Sequence, residues 1–530
     1  MMVRNFFTVG VATLASRLFG FVRDVLSAAM LGTGPVADAF IVAFRLPNLF
    51  RRLFAEGAFN SAFVPLFAKK VEVEGLEEAR RFADDVLAGL FLTLVVVSAL
   101  AMIFMPALVF VMAPGFVDGS DKFTDAVLFS RICFPYLLCM SLIALLGGVL
   151  NSVGRFAAAA WAPVLLNITL SSALLLAGYF GFAGTREAGL ILSWGVFVAG
   201  FLQLAALVLA VNRASMPMRL TRPKWTPDVA RMVRLGVPGV VAGGVTQINL
   251  IVGTMIASTT TAAVSWLFYA DRLYQLPLGL VGVAIGVVLL PELTRKLQSS
   301  ASDAGHTQNR ALELAMILTL PAAVALALVP AEIVGGLFER GAFTASDTRA
   351  VAHALAAFSV GLPAFVLIKV FSPGYFARED TKTPMRLAIL SVAVNIALSL
   401  ALFPFIGHVG IALATTIASW INAGQLWWGL KRRGHFEWDR LLTRRMRAAL
   451  IASLVMGVAL LGMAWGLPSW FASGTSTSLR LLAVMVLTLA GMAVYGAVLL
   501  SLGGMDWALL KGSFKRKPGT RPSGPVGGGD

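Results

Sequence analysis

Stretches of about 20 apolar residues recur along this chain almost from end to end, and that recurrence leaves few folds open. In a bilayer the backbone finds no water to bond with, so each crossing must satisfy its own N–H and C=O groups as a helix or join a closed barrel. Runs this long, without strict alternation of polar and apolar residues, select helices. Fourteen spans can be placed, near 6–31, 36–68, 84–113, 124–152, 159–182, 188–211, 231–257, 262–296, 310–337, 347–376, 384–406, 409–430, 444–467 and 480–503. The expected class is an all-α polytopic membrane protein. Of the 530 residues 58% are hydrophobic and 13% charged, which excludes an ordinary soluble domain.

The net charge of +16 does not point to nucleic acid, because the basic residues lie mainly in short connections between apolar runs and no base-reading motif accompanies them. One alternating set of connections carries Lys69, Lys70, Arg80 and Arg81, then Arg155, then Arg213 to Lys224. It continues with Arg295 and Lys296, Arg378 and Lys382, and the dense run from Lys431 to Arg447. The opposite set holds little beyond Lys122, Arg186, Arg340 and Arg480. By the positive-inside rule the first set is cytoplasmic, as are both termini. Arg4 ahead of an apolar run imitates a signal peptide, but the helical pattern continues past Arg17, Arg23 and Asp24, unlike a cleavable segment.

The chain also repeats itself. PLFAKK from Pro65 returns as PELTRK from Pro291, FRLPNL from Phe44 parallels DRLYQLP from Asp271, and the pair Pro135 and Asn167 returns as Pro363 and Asn395. The offset stays near 226–228 residues. This divides the chain into a first lobe of six helices (1–220), a second of six (221–435), two extra helices (436–509) and a basic tail (510–530) that suits anionic headgroups. An even number of spans per repeat gives both lobes one orientation.

Charge inside the spans is the main functional signal. Arg17, Arg23 and Asp24 lie in the first span, and Asp38, Arg45, Arg51, Arg52 and Glu56 in the second. An ionised group at bilayer depth costs at least about 2.5–3.5 kcal/mol, so it faces a bundle interior or a wet cavity. Asp38, Arg45 and Arg52 fall at steps of seven on one stripe, with Glu56 four beyond Arg52. Two readings stand: structural ion pairs, or a cationic chamber for an anion. The excess of bases over acids favours the chamber, and guanidinium groups suit a phosphate. Further on, Asp271 and Arg272 open the eighth span, and Lys369 lies in the tenth without a helical partner.

Other chemistry is not indicated. Cys133 and Cys139 lie six apart on different helix faces, and His306, His353, His408 and His435 show no ligand spacing, so neither a disulfide nor a metal site is expected. No nucleophile elbow, phosphate-binding loop or metal-binding helix is present, and no cofactor is expected.

The run SRLFGFVRDVLSAAMLGTGPVADAFIVAFRLPNLFRRLFAEGAFNSAFVP from Ser16 to Pro65 strongly resembles the MurJ (MviN) family of lipid II flippases. APGF from Ala113, YADRLYQLPLGLVGVAIGVVLLP from Tyr269 and KVFSPGYFAREDTKTP from Lys369 look like later segments of that family. The resemblance implies a fourteen-helix exporter in the bacterial inner membrane, two six-helix lobes alternating about a cationic cavity, and a lipid-tail groove at the last two helices. Its substrate would be lipid II, with membrane lipids and cell-wall synthesis proteins as partners. It implies pyrophosphate contacts at Arg23, Arg51 and Arg272, and further substrate-site roles for Arg17, Asp38, Asn48, Arg52, Glu56 and Lys369. Gln275 stands where some relatives carry glutamate, and the seventh span lacks an acid, so a sodium site there is unsupported. Rival readings are an exporter of another lipid-linked sugar, a multidrug antiporter, which should expose acids instead, and a non-transporting scaffold.

Overall fold

The computed structural model describes residues 2–52, 60–116, 121–299, 301–472 and 474–504. Among them the chain is helical throughout, with short connections. The first half comprises α1 (Met2–Leu31), α2 (Pro35–Arg51), α3 (Asn60–Val73), α4 (Leu76–Ile103), α5 (Met105–Met112), α6 (Asp121–Cys133), α7 (Tyr136–Ser152), α8 (Ala157–Tyr179) and α9 (Arg186–Arg213). There follow α10 (Pro227–Ser258), α11 (Ala263–Ser299), α12 (Ala301–Leu328), α13 (Pro330–Phe338), α14 (Ala345–Phe376), α15 (Lys382–Ile406) and α16 (His408–Arg432). The chain closes with α17 (Arg440–Gly466), α18 (Pro468–Phe471) and α19 (Thr477–Ser501).

Ten of these segments are long and apolar enough to cross a membrane, counting α6 and α7 as one. The four expected spans outside that set fall on α1, on α2 with α3, on α10 and on α11. These four combine intramembrane charge with stretches outside the described side chains. They also come in pairs, the first two helices of each proposed lobe, and they line the interface between the lobes.

Breaks in the helices follow the sequence. Pro47 removes a backbone donor inside α2, which ends at Arg51, and α3 begins at Asn60. Glu56 and the tail from 510 lie outside the described residues. The third expected span of each repeat is likewise broken, at Phe104 before α5 and at Val329 before α13, each new segment carrying proline at N1 or N2.

Packing repeats with the sequence. In the first half α1 lies on α8, α8 on α9, α2 on α6 and α7 on α9; in the second α10 lies on α15, α15 on α16, α11 on α14 and α14 on α16. The largest core cluster crosses between the halves, joining Phe40 and Leu46 of α2 to Tyr269 and Leu273 of α11. The last pair stands apart: α17 packs on α12 and α19, and α19 also touches α13.

Candidate functional site

Between α1, α2 and α11 the intramembrane charges converge. Arg23 donates from Nη2 and Nε to Asp24 Oδ1 at 2.6 and 3.1 Å, and from Nη1 to Asn167 Oδ1 at 2.9 Å. The other oxygen of Asp24 lies 3.7 Å from Arg272 Nε, an atom that makes no hydrogen bond among the described residues. The Arg272 guanidinium lies 4.7 Å from the centre of the Phe268 ring. One nearly buried carboxylate therefore stands between guanidinium groups of opposite lobes. At Gly20 a Cβ would come within 3.4 Å of Asn167, and Asn167 Nδ2 donates to Ser16 O at 2.9 Å, so α1 and α8 cross closely there.

Other cations gather around this bridge. Arg17 reaches α11 and lies against Gly279, where any side chain would collide with its guanidinium. Arg45 Nη1 donates to Thr254 Oγ1 of α10 at 2.7 Å and stands within electrostatic reach of Asp271, Arg272, Asp38 and Arg52. Arg51 Nε donates to Asn48 Oδ1 at 3.3 Å, and Arg51 and Arg23 both act on Tyr136. Asn48 Nδ2 donates in turn to Phe44 O at 2.8 Å. Arg52 is exposed just beyond α2. Lys369 is exposed on α14 beside buried Val370, lies within electrostatic reach of Arg17, and has no ion-pair partner among the described residues. Asp271 accepts from Gln275, so this amide holds a carboxylate of its own helix.

Asp38 sits elsewhere than its stripe with Arg45 and Arg52 implied. It is fully buried at one end of the lobe interface, with Lys122 Nζ at 2.7 Å and the backbone N–H groups of Ala262 and Ser265 at 3.0 and 2.8 Å. Lys122, from the charge-poor set of connections, also lies 4.0 Å from the centre of the Phe116 ring. Around them the lobes meet through Gly115 N to Ser258 Oγ at 3.0 Å, Tyr269 Oη to Gly32 O at 3.1 Å and Ala342 N to Ala29 O at 2.8 Å. Gly32 and Gly341 adopt positive φ of 63° and 59°, and a Cβ on either would strike backbone of the facing segment, so glycine permits this approach. Thr33 Oγ1 and Trp266 Nε1 both donate to Asp347, which also closes a capping box on Thr344. These contacts join the two halves at the charge-poor end. At the charge-rich end Lys70 pairs with Glu74 and with Asp228 of α10 at 2.7 and 2.9 Å.

Two further sites lie away from this charge cluster. An apolar cavity of about 600 Å³ opens between α12, α17 and α19, lined by Pro321, Ala325, Met456, Leu460, Leu487 and Gly491 among others. In the second lobe Asn395 Nδ2 donates to Asn249 Oδ1 at 2.6 Å, and Ser399 and Thr415 donate to Asn395 Oδ1. This donor set holds amides and hydroxyls without a carboxylate, and no group of metal-ligating side chains occurs among the described residues.

Known proteins share this architecture. A family model described as lipid II flippase MurJ matches residues 27–499. The probable lipid II flippases MurJ of Rhizobium tropici and Rhizobium meliloti (strain 1021) are each 50% identical over 97% of this chain, covering 97% and 96% of their own lengths. A solved lipid II flippase MurJ in an inward closed conformation superposes with a TM-score of 0.75 at 25% identity, covering 96% of this chain and 99% of its own. An inward-facing multidrug transporter of the MATE family matches with a TM-score of 0.65 at 14% identity over 79% of this chain and 94% of its own, a likeness of fold alone.

Proposed function

The chain belongs to the lipid II flippase MurJ family, and from that premise we propose that it carries lipid II from the cytoplasmic to the outer leaflet of a bacterial inner membrane. A disaccharide-peptide headgroup cannot cross hydrocarbon unaided, since each desolvated polar group costs kilocalories. A wet chamber lined by cations removes that barrier for the pyrophosphate and its sugars. The observation that carries the reading is the bridge of Arg23, Asp24 and Arg272: two guanidinium groups from opposite lobes share one carboxylate. Further cations, Arg17, Arg45, Arg51, Arg52 and Lys369, stand around it, and Asp271 is a second acid nearby among the described residues.

In this mechanism a pyrophosphate dianion competes with Asp24 for Arg23 and Arg272, drawing the lobes onto itself. Arg51 and Arg52, with Asn48 and Glu56 on the same segment, extend the site, and Arg17 and Lys369 add charge near α11 and α14. Guanidinium groups suit this role because each offers a planar fork to phosphate oxygens and stays charged. Asp38 contributes as the buried anchor of the seal.

The charge-rich end faces the cytoplasm in this reading, with both termini on that side, so the sealed end is the outer one and transport alternates between the two ends. The apolar cavity between α12, α17 and α19 supports a place for the polyprenyl tail while the headgroup crosses. Proteins of cell-wall synthesis would supply and consume the lipid. An inside-negative voltage favours outward movement of a dianion by about 4.6 kcal/mol per 100 mV if both charges cross the whole field. The test is flipping of labelled lipid II by purified protein in vesicles. Transport lost in Arg23→Ala and Arg272→Ala with insertion retained supports the reading, and wild-type transport by both refutes it.

A further inference from the structure

Away from the charges around Asp24, three arginines of α17 have no acidic partner among the described residues. Arg440, Arg444 and Arg447 follow one another at four and three residues, which places them on one helical face, and with Thr443, Ala448, Ile451 and Leu502 they line a recess of about 440 Å³. None of the three has an ion-pair partner among the described residues. Their neighbours at the same end of the bundle do: Arg80 pairs with Glu77, Arg433 with Asp380, Arg310 with Asp439 and Glu313, and Arg445 with Glu313. Other basic residues of that end, such as Arg219, Arg222 and Lys224, lie in an exposed connection, whereas these three line a recess.

The same face continues as hydrocarbon. At about 100° per residue, Ile451, Val455 and Val458 lie below the arginines on their stripe, and these side chains are 49%, 43% and 69% exposed. The groove face of α17, at Met456 and Leu460, lies roughly half a turn away. The recess therefore opens on the opposite side of the helix from the apolar cavity, toward the surrounding bilayer. Arg444 is held at the end of α19, its Nη2 2.7 Å from where a Cβ of Gly503 would stand; Gly503 has a φ of 65°.

A cluster of guanidinium groups above an exposed apolar stripe matches one kind of ligand: a phosphate with acyl chains attached. We propose that this recess is a site for an anionic phospholipid of the bilayer, its phosphate held by Arg440, Arg444 and Arg447 and its chains lying along Ile451 to Val458. The bound lipid would tie α17 to the end of α19, bracing the helix pair that forms the cavity on its other face.

The test is native mass spectrometry of the full chain in detergent, titrated with phosphatidylglycerol, phosphatidylcholine or inorganic phosphate. The wild type is expected to bind phosphatidylglycerol at least about tenfold more tightly than phosphatidylcholine, consistent with several arginines acting near one phosphate. Arg440→Gln/Arg444→Gln/Arg447→Gln should lose that preference. A control that removes equal charge from a connection at the same end, Arg219→Gln/Arg222→Gln/Lys224→Gln, should keep it. The lysine triple variant, which preserves charge, guards against a folding defect and should bind with intermediate affinity. Undiminished preference in the glutamine variant, equal loss in the control, or displacement of phosphatidylglycerol by inorganic phosphate at matched concentration would each overturn the assignment. Lipid II transport can fail or survive independently of this result, because the recess lies outside the chamber.

Discussion

The two halves of the molecule share a fold but not a charge pattern. Asn167 of α8 holds Arg23 of α1, and 228 residues later Asn395 of α15 holds Asn249 of α10. The same contact thus joins the same pair of helices in both halves, with a cation in one and an amide in the other. Near the boundary the repeat turns on itself: Asp38 accepts a hydrogen bond from Ser265, and Arg45 stands within reach of Arg272, each pair separated by 227 residues. The scaffold is duplicated, while intramembrane charge is concentrated in the first half and joined by Arg272 and Lys369 from the second. Under the proposed function, the contrast separates charge that builds the fold from charge that binds substrate. At the seal, Asp38 has Lys122 and two backbone donors. Around Asp24, cations outnumber carboxylates among the described residues.

The sharpest way to break that contrast is to remove the equivalent side chains. Arg23→Ala should reduce lipid II transport by at least about 100-fold, comparable to the loss of a charged group's strongest contacts. Asn249→Ala should leave it within about threefold. Matching losses, measured by flipping in vesicles with expression and insertion controlled, would show that the contact rather than the cation matters. A smaller effect on transport but a large one on stability is expected at the seal. Asp38→Ala strands Lys122 in a buried site, a change worth about 3–5 kcal/mol. The double variant Asp38→Ala/Lys122→Met should recover part of that loss, as read by denaturation in detergent; additive losses would mean that the pair is not coupled.

Below these stands the apolar cavity. Gly491→Leu would place a side chain where a Cβ already lies 3.2 Å from Leu460. It should weaken binding of the full-length polyprenyl lipid about tenfold while sparing a short-chain analogue, in keeping with about 0.8 kcal/mol per buried methylene. Equal losses for both ligands would return α17 and α19 to a purely structural role. The smallest effect is expected in the connection before α17. Burial, with Arg378 and Arg433 nearby, holds the His435 pKa below its ordinary value. Folding therefore favours the neutral ring, and this contribution is complete above about pH 6.5 and is lost as pH falls below it. Asp380 behaves in the opposite range: its hydrogen bond with Arg433 holds it at about 2, so its contribution survives until strong acid. Thermal melts from pH 7 to 5 should decline for the wild type and decline less steeply for His435→Gln, while Asp380→Asn should leave the slope over that range unchanged.

Much of this was legible in the sequence, and what was not has a tertiary cause. Apolar runs gave the helices, and the 227-residue offset gave the repeat because the same adjacency of helices needs the same residues twice. The excess of intramembrane cations was visible from Arg17, Arg23, Arg51 and Arg52. Asp24 was not singled out as the carboxylate between Arg23 and Arg272, since α11 arrives from far along the chain; its adjacency to Arg23 was the one available signal. Lys122 read as a loop charge, yet it is the buried partner of Asp38, 84 residues earlier. That long-range pairing moves Asp38 from the chamber to the seal, a distinction helical spacing cannot make.

The central claim is that the first-lobe arginines, with Arg272, hold a pyrophosphate. It is tested most directly by comparing the binding of undecaprenyl pyrophosphate and undecaprenol, which share a tail and differ in charge. The wild-type protein should prefer the pyrophosphate by about 100-fold or more, as several charge-assisted hydrogen bonds require. Arg23→Ala/Arg51→Ala/Arg272→Ala should bind the two lipids alike. A triple variant that is correctly inserted and keeps the wild-type preference would contradict the account.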